Sequence, residues 1–381
     1  MKTDDQHSTR GPESPQRLPA IDVMRGIVIV LMAIDHAAHM FNAGHYVTDS
    51  FVLYQAGTPI PSVQFLTRWI THLCAPTFIF LAGWALALSV AGRPETPASD
   101  RSTDRYLLKR GLFILLLDPL WMSFAFGPSI VFQVLYAIGG SLICMIWLRR
   151  LSLITLLTIG LGLMLFGEGL AGLVIWLAGG SKAGLIGAFL VTGGKIGPSV
   201  YVLYPLLPWL AYMILGWCCG RLLLTDRIDK PVTLFARSGA YALLAFIFIR
   251  GFNRYGNMLL YRENGSILQW LHVSKYPPSL SFALLELGLL FVCLSLLFIR
   301  YRNSTGSDKS PLRVFGQTAL FFYALHVHLL ALAAWLLGLR KAGGLTETWI
   351  ATVAVLLVLY PLCLWYRRIK RRGRYPLLRY L

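Results

Sequence analysis

Apolar residues run along this chain in long blocks, with neither the alternation of half-buried strands nor the one-sided stripe of a soluble helix. Ten blocks stand out, near 20–42, 67–91, 106–126, 129–148, 151–167, 201–224, 233–251, 279–299, 314–338 and 348–366. Each approaches the roughly 20 residues that a helix needs to cross a hydrocarbon layer of about 30 Å. The pattern predicts an all-α, polytopic integral membrane protein with about ten transmembrane helices. Between the fifth and sixth blocks, 168–200 is apolar but glycine-rich ("GLAGLVIWLAGGSKAGLIGAF") and reads as a re-entrant or interfacial piece.

The loops set the orientation. With the N-terminus inside, about three times as many Lys and Arg residues fall on the inner side as on the outer, and "RRIKRRGR" anchors the C-terminal end. An even number of spans then puts both termini in the cytoplasm. The polar opening "MKTDDQHSTRGPESPQRLP" (1–19) reads as a disordered cytoplasmic tail, 20–370 as one transmembrane domain, and 371–381 as a basic tail. The first apolar block is long and lacks a small-residue cleavage site, so it reads as the first span and not as a signal peptide. No internal repeat of the kind that builds inverted-repeat transporters is evident.

Composition strengthens this picture. The chain is 56% hydrophobic and 14% charged, against about a quarter charged in soluble domains, and its mean hydropathy is +0.62. A net charge of +18 would point to nucleic acid in a soluble protein. Here it is spread over many short loops, which fits an acidic lipid surface and excludes a nucleic-acid partner. All six cysteines (Cys74, Cys144, Cys218, Cys219, Cys293 and Cys363) fall inside apolar blocks with no C-x-x-C, and read as small apolar filler. No metal-ligand spacing appears on one helix, so no metal is expected.

Ionisable groups in mid-bilayer cost about 2.5–3.5 kcal/mol each, so their positions are informative. Asp35, His36, His39 and Asn42 lie toward the outer end of the first span. Arg68 and His72 open the second, one turn apart. Asp118, before Pro119, stands in the outer half of the third, and Gln133 begins the fourth. "KYPPSL" leads into the eighth, with Glu286 two turns in, and the ninth carries Tyr323, His326 and His328. Their common depth predicts a water-filled cavity opening outward. His39 and His45 read more simply as headgroup-level side chains. His326 and His328 are two apart and face opposite ways, so His326 is the inward candidate. Asp118 and Glu286 divide evenly between catalysis and ion pairing with Arg68 or Lys275. The two prolines of "YPP" predict a helix entrance. Arg25, three residues after Asp22, is either an interface anchor or a grip on an anionic donor.

Five segments, "RLPAIDVMRGIVIVLMAIDHAAHMF", "RWITHLCAPTFIFLAGWALALS", "YPLLPWLAYMILGWCCGRLL", "KYPPSL" and "LFFYALHVHLL", resemble a bacterial membrane family that is similar to the heparan-alpha-glucosaminide N-acetyltransferases. The pattern "IDVMRG…DH" also resembles the wider membrane acyltransferase superfamily. The resemblance implies a multi-pass protein of the bacterial cytoplasmic membrane. It implies cytosolic acetyl-CoA as donor and a sugar or envelope glycan as acceptor on the far side. In the enzymes of that family a catalytic histidine precedes a Trp-Asn-Gly in the first loop. Here that loop offers only His45, and His72 stands where they carry an aspartate.

Acetyl transfer needs a base, donors for a thioester oxyanion, and a seat for an anionic CoA. His36, oriented by Asp35, is the first candidate base. Sequence neighbours diverge by about 100° on a helix, so the pairing runs through water or through an acid on another span. His72 is the second candidate, with Arg68 as charge stabiliser, and Glu286 and His326 complete the catalytic set. Arg25 and Arg110 are expected to meet the CoA phosphates. Two rival readings remain: a proton-coupled transporter or flippase, and a non-catalytic subunit of an envelope-glycan pathway. Association with further copies of the chain is left open.

Overall fold

The computed structural model describes residues 18–50, 52–94, 96–180, 184–224, 231–302 and 309–372. Residues 1–17 of the expected N-terminal tail and 373–381 of the basic tail lie outside the described residues. Every one of the ten apolar blocks contains helix. Among the described residues, six helical stretches are long and apolar enough to cross a membrane: Ser62–Ala91, Leu206–Leu224, Pro231–Phe252, Leu280–Arg300, Ala319–Leu336 and Leu345–Arg372. Leu153–Leu165 and Gly167–Leu177 would add a seventh, but they meet at 65° as a broken or re-entrant pair. Part of the glycine-rich stretch after the fifth block is therefore helix, set at an angle to the block before it.

At the centre stands the helix Pro19–Phe41, packed against Cys74–Ala91, Leu280–Arg300, Pro311–Gln317, Ala319–Leu336 and Leu345–Arg372. Its apolar residues are buried on several faces, Met24, Val28, Ile29 and Ala33 among them, as expected of a helix that is hydrophobic nearly all round. Glycines permit the closest helix contacts. A Cβ on Gly83 would lie 2.0 Å from Met213 O, and one on Gly216 would lie 1.9 Å from Phe80 O. The helices Cys74–Ala91 and Leu206–Leu224 thus touch backbone to backbone, the small-residue packing that lipid-embedded helices favour.

The second apolar block is interrupted. Ser62–Trp69 ends in a turn over 70–73, and a new helix runs Cys74–Ala91. Pro76 sits in the first turn of that helix, where a missing N–H costs nothing.

Two loop segments, 42–61 and 253–279, close one end of the bundle as a cap. Lys275 N donates to Asp49 O (2.8 Å), Ser50 Oγ to Tyr276 O (2.6 Å) and Gln269 Nε2 to Tyr54 Oη (3.2 Å). His272 Nε2 lies 2.8 Å from Thr48 O and 3.0 Å from Tyr46 Oη, and burial pushes its pKa down. Arg250, fully buried, holds the second segment in shape. Its five N–H groups reach the carbonyls of Leu260, Gln269, Trp270 and His272 and the side-chain oxygen of Asn257, at 2.5 to 3.2 Å. The prolines after Tyr276 do not open the next helix as the sequence predicts. They lie in the cap, and Ser279 is the N-cap of Leu280–Arg300, its side chain accepting from Phe282 N. The hydroxyl immediately after the two prolines takes the capping role.

Beside the cap lies a three-stranded sheet, β1 (Ile130–Phe132), β2 (Gly194–Ile196) and β3 (Val200–Val202). β3 is central, parallel to β1 and antiparallel to β2. The chain leaves β1 into Gln133 and β3 toward Tyr204, and both side chains face the site described next.

Candidate functional site

Arg68 is the hub at the cap end. Its Nη1 donates to both oxygens of Asp35 (2.5 and 2.6 Å). Its Nε and Nη2 donate to Asp49 Oδ2 (3.0 and 2.8 Å), and Nη2 also donates to Tyr276 Oη (3.2 Å). All five guanidinium N–H groups are used. His72 Nε2 lies 3.0 Å from the same Asp49 oxygen, and a carboxylate at that distance is met by N–H, so His72 donates. Burial alone would raise the Asp49 carboxyl, but Arg68 and His72 hold it well below the usual carboxylate range. Tyr276 Oη meets Tyr204 Oη at 3.4 Å.

His36 belongs to a second group. His326 Nδ1 lies 2.9 Å from Tyr323 O and 3.1 Å from Phe322 O, so it carries the proton and donates to a carbonyl. Its Nε2 is therefore an acceptor. His36 Nδ1, 2.7 Å away, must then donate, and the His36 Nε2 lone pair stays free of any other hydrogen bond among the described residues. The two rings stack with centroids 4.9 Å apart. The partner of His36 is thus the His326 imidazole on another helix, where the sequence offers Asp35 through water or an acid on another span. Asp35 and His36 diverge on the helix, and Asp35 is taken by Arg68 and by Thr71 Oγ1 at 3.2 Å.

Asp35 and His36 line a small chamber of about 30 Å³, room for water or one small group. Thr71, Gln133, Tyr204, Lys275 and Tyr323 complete its polar lining. A second cavity of about 280 Å³ abuts it, the two sharing Phe78, Val134 and Tyr323 as a common wall. That cavity runs past Ala82, Ile114, Ile138 and Leu320 to Arg25, Tyr106, Arg110 and Lys370 at the opposite, basic end. There it meets a vestibule of about 580 Å³ lined by Arg25, Arg367, Lys370 and Arg371. The basic end is pre-organised. Gln317 Nε2 donates to Asp22 Oδ2 (2.8 Å), Arg367 Nη1 donates to Gln317 Oε1 (3.1 Å), and Arg25 stands 3.5 Å from Asp22. Arg110 Nη1 donates to Tyr106 Oη at 2.6 Å.

The six residues singled out from the sequence thus divide. Asp35 and His36 line the chamber. Arg68 and His326 stand directly behind them as their hydrogen-bond partners. His72 is one step further back, behind Asp49. Glu286 is buried with Oε1 unpaired, outside the chamber lining. His328 points the other way and packs on Trp121, ring centroids 4.4 Å apart. Asp118 pairs with neither Arg68 nor Lys275. Its Oδ2 accepts from Gln133 N and Tyr136 N and caps the helix Val134–Leu148. His45 stacks edge-on to His39, away from the chamber, and burial pushes its pKa down to about 4. Arg25 and Arg110 both line the basic-end cavity. Sequence reasoning missed Asp49, Tyr204 and Tyr276. The one available signal for Asp49 and Tyr276 was the polarity of two loops that needed a common partner. Among the described residues, no group of three His, Cys, Asp or Glu side chains is placed to hold a metal.

Comparison with known proteins returns no matching curated protein. The family model described as "heparan-alpha-glucosaminide N-acetyltransferase, catalytic" matches residues 17–251, well over half of the chain and including Asp35, His36, Asp49, Arg68 and the basic-end Arg25 and Arg110. On that match, this multi-pass helical protein belongs to the membrane acetyltransferase family of heparan-alpha-glucosaminide N-acetyltransferase catalytic domains.

Proposed function

We propose that the protein transfers acetyl from cytosolic acetyl-CoA to an amine or hydroxyl of a sugar or envelope glycan on the outer side of the bacterial cytoplasmic membrane. About ten spans, both termini inside and one domain over 20–370 belong to this reading, which follows the basic loops. The observation that carries it is the alignment of vestibule, long cavity and chamber along one path, cationic at one end and acid–imidazole at the other. A CoA has that polarity: phosphates at one end, an uncharged arm, and a thioester at the tip. Arg25, Arg110, Arg367 and Lys370 suit the phosphates. The apolar walls suit the arm, which would reach the chamber past Phe78, Val134 and Tyr323.

In the chamber, His36 Nε2 is the base. The acceptor's N or O attacks the thioester carbon while His36 takes the proton. Collapse expels the CoA thiolate, which takes the proton back from His36 as it leaves. His326 holds the His36 tautomer that makes this work, and Asp35, fixed by Arg68, offsets the imidazolium during transfer. The one-sided position of the acid–imidazole group and the dead end between two cavities favour this over a transporter, whose site tends to the midplane. In proteoliposomes with labelled acetyl-CoA and a glucosamine-bearing acceptor, the wild type should transfer label. His36→Ala should lose about a hundred- to ten-thousand-fold in kcat, the usual share of general base catalysis. A wild type that never consumes acetyl-CoA sinks the proposal, and full activity in His36→Ala removes His36 as the base.

A further inference from the structure

Charge at the cap end leaves one cation uncommitted. Arg68, the expected charge stabiliser, has every N–H engaged by Asp35, Asp49 or Tyr276. A saturated guanidinium has no donor left for a new oxygen. Lys275 is different. It is 3% exposed, it lines the chamber, and its Nζ makes no hydrogen bond or ion pair among the described residues. Its Nζ stands over the ring of Tyr276, 5.3 Å from the centroid. Its backbone is pinned, the N–H donating to Asp49 O, so the side chain leaves from a fixed point.

A buried, unpaired ammonium is expensive, and the cluster supplies only a partial offset. Asp35 and Asp49 carry two negative charges against one on Arg68, and Lys275 restores neutrality without a direct contact. Its three N–H donors remain for whatever enters the chamber. At about 30 Å³ the chamber takes an acetyl group but no sugar ring, so the group that meets Lys275 is the thioester carbonyl.

Resting on the acetyltransferase reading above, we infer that Lys275 is a catalytic residue that donates to the thioester carbonyl oxygen and stabilises the oxyanion of the tetrahedral intermediate. As the acceptor attacks the carbonyl carbon, the C=O π pair moves onto oxygen and Lys275 Nζ–H holds that charge. When the C=O re-forms, the C–S bond breaks and the thiolate leaves with the proton from His36. Lys275 gives up no proton, so its role is electrostatic.

Two readouts test this on the full-length protein in proteoliposomes. Lys275→Met should lower kcat about a hundred- to a thousand-fold, the usual loss of an oxyanion donor, while the KM for acetyl-CoA changes less than about threefold. Lys275→Arg, which keeps charge and donors, should recover part of the rate. The second readout is the infrared C=O stretch of bound carbonyl-13C acetyl-CoA. It should fall to lower frequency in the wild type and return toward the free value in Lys275→Met, a change that mere charge balance would not produce. Bound acetyl-CoA with an unshifted carbonyl, or equal kcat in Lys275→Met, overturns this role alone. So does a raised KM for the acceptor at unchanged kcat, which would put Lys275 on the acceptor. If acetyl-CoA does not bind the wild type at all, the acetyltransferase reading falls and takes this one with it.

Discussion

Two buried arginines near the cap make an instructive pair. Arg68 and Arg250 each spend five N–H groups on five acceptor contacts. Arg68 faces two carboxylates and is overcompensated. Arg250 faces four carbonyls and an amide oxygen, and no carboxylate among the described residues pairs with it. The first arrangement concentrates charge that a reaction can use. The second folds a loop by gathering backbone oxygens that would otherwise need water. They are also linked, because the segment that Arg250 shapes carries Lys275 and Tyr276 to the neighbourhood of Arg68.

The sharpest way to break the comparison is to remove each cation. Arg68→Met leaves two carboxylates buried without their partner and should cost about 3–5 kcal/mol of stability. Adding Asp49→Asn should return part of that loss, since it removes one stranded charge. A detergent-solubilised thermal or denaturant series reads both variants, and the absence of rescue would mean that Arg68 is not held chiefly by charge.

Arg250→Met should act more locally. It strands carbonyls at about 1–3 kcal/mol for each that water cannot reach, and the cap can open to find water. Hydrogen exchange should therefore accelerate over 253–279 more than in the helices, acetyl transfer should fall because Lys275 is displaced, and no carboxylate substitution should rescue it. Uniform loss of protection across the bundle would erase the distinction between the two arginines.

The smallest effect is one of pH, and it separates cap from cluster. Burial lowers His45 to about 4, from about 6.5 in an unfolded chain. A pKa lowered by folding gives stability that is full above the unfolded value and is lost as pH falls toward the folded one. The midpoint of thermal unfolding should therefore drop between pH 6.5 and 4, and drop less in His45→Asn. Asp49, held below the usual carboxylate range, stays ionised over that window and contributes nothing to the difference. An identical slope in the variant would show that His45 titrates freely.

The lipid-facing helices were legible because twenty-residue apolar blocks have one physical use. The cost of burying charge also led to Asp35, His36, Arg68, His72 and His326, which do gather around two adjoining hydrogen-bond groups. The same argument is blind to Asp49 and Tyr276. Both sit in polar loops, where such a side chain costs nothing, and only the pairing of segments more than 200 residues apart gives them a role. The divergence of Asp35 and His36 was legible from helix geometry, but the partners were not: His36 meets the His326 imidazole where an acid was expected, and Asp35 meets Arg68. The family match ends at residue 251, so Lys275, Tyr323 and His326 come from a part of the chain that the matched region does not include.

The shared wall of Phe78, Val134 and Tyr323 has an electrical consequence. If aqueous compartments reach it from both faces, the transmembrane voltage falls mainly across the few ångströms of that partition. Moving one elementary charge through 100 mV takes or yields about 2.3 kcal/mol. A proton or phosphate crossing there would feel nearly all of it. An uncharged arm crossing there would feel none, so group transfer through the wall would run at the same cost in an energised or a depolarised cell.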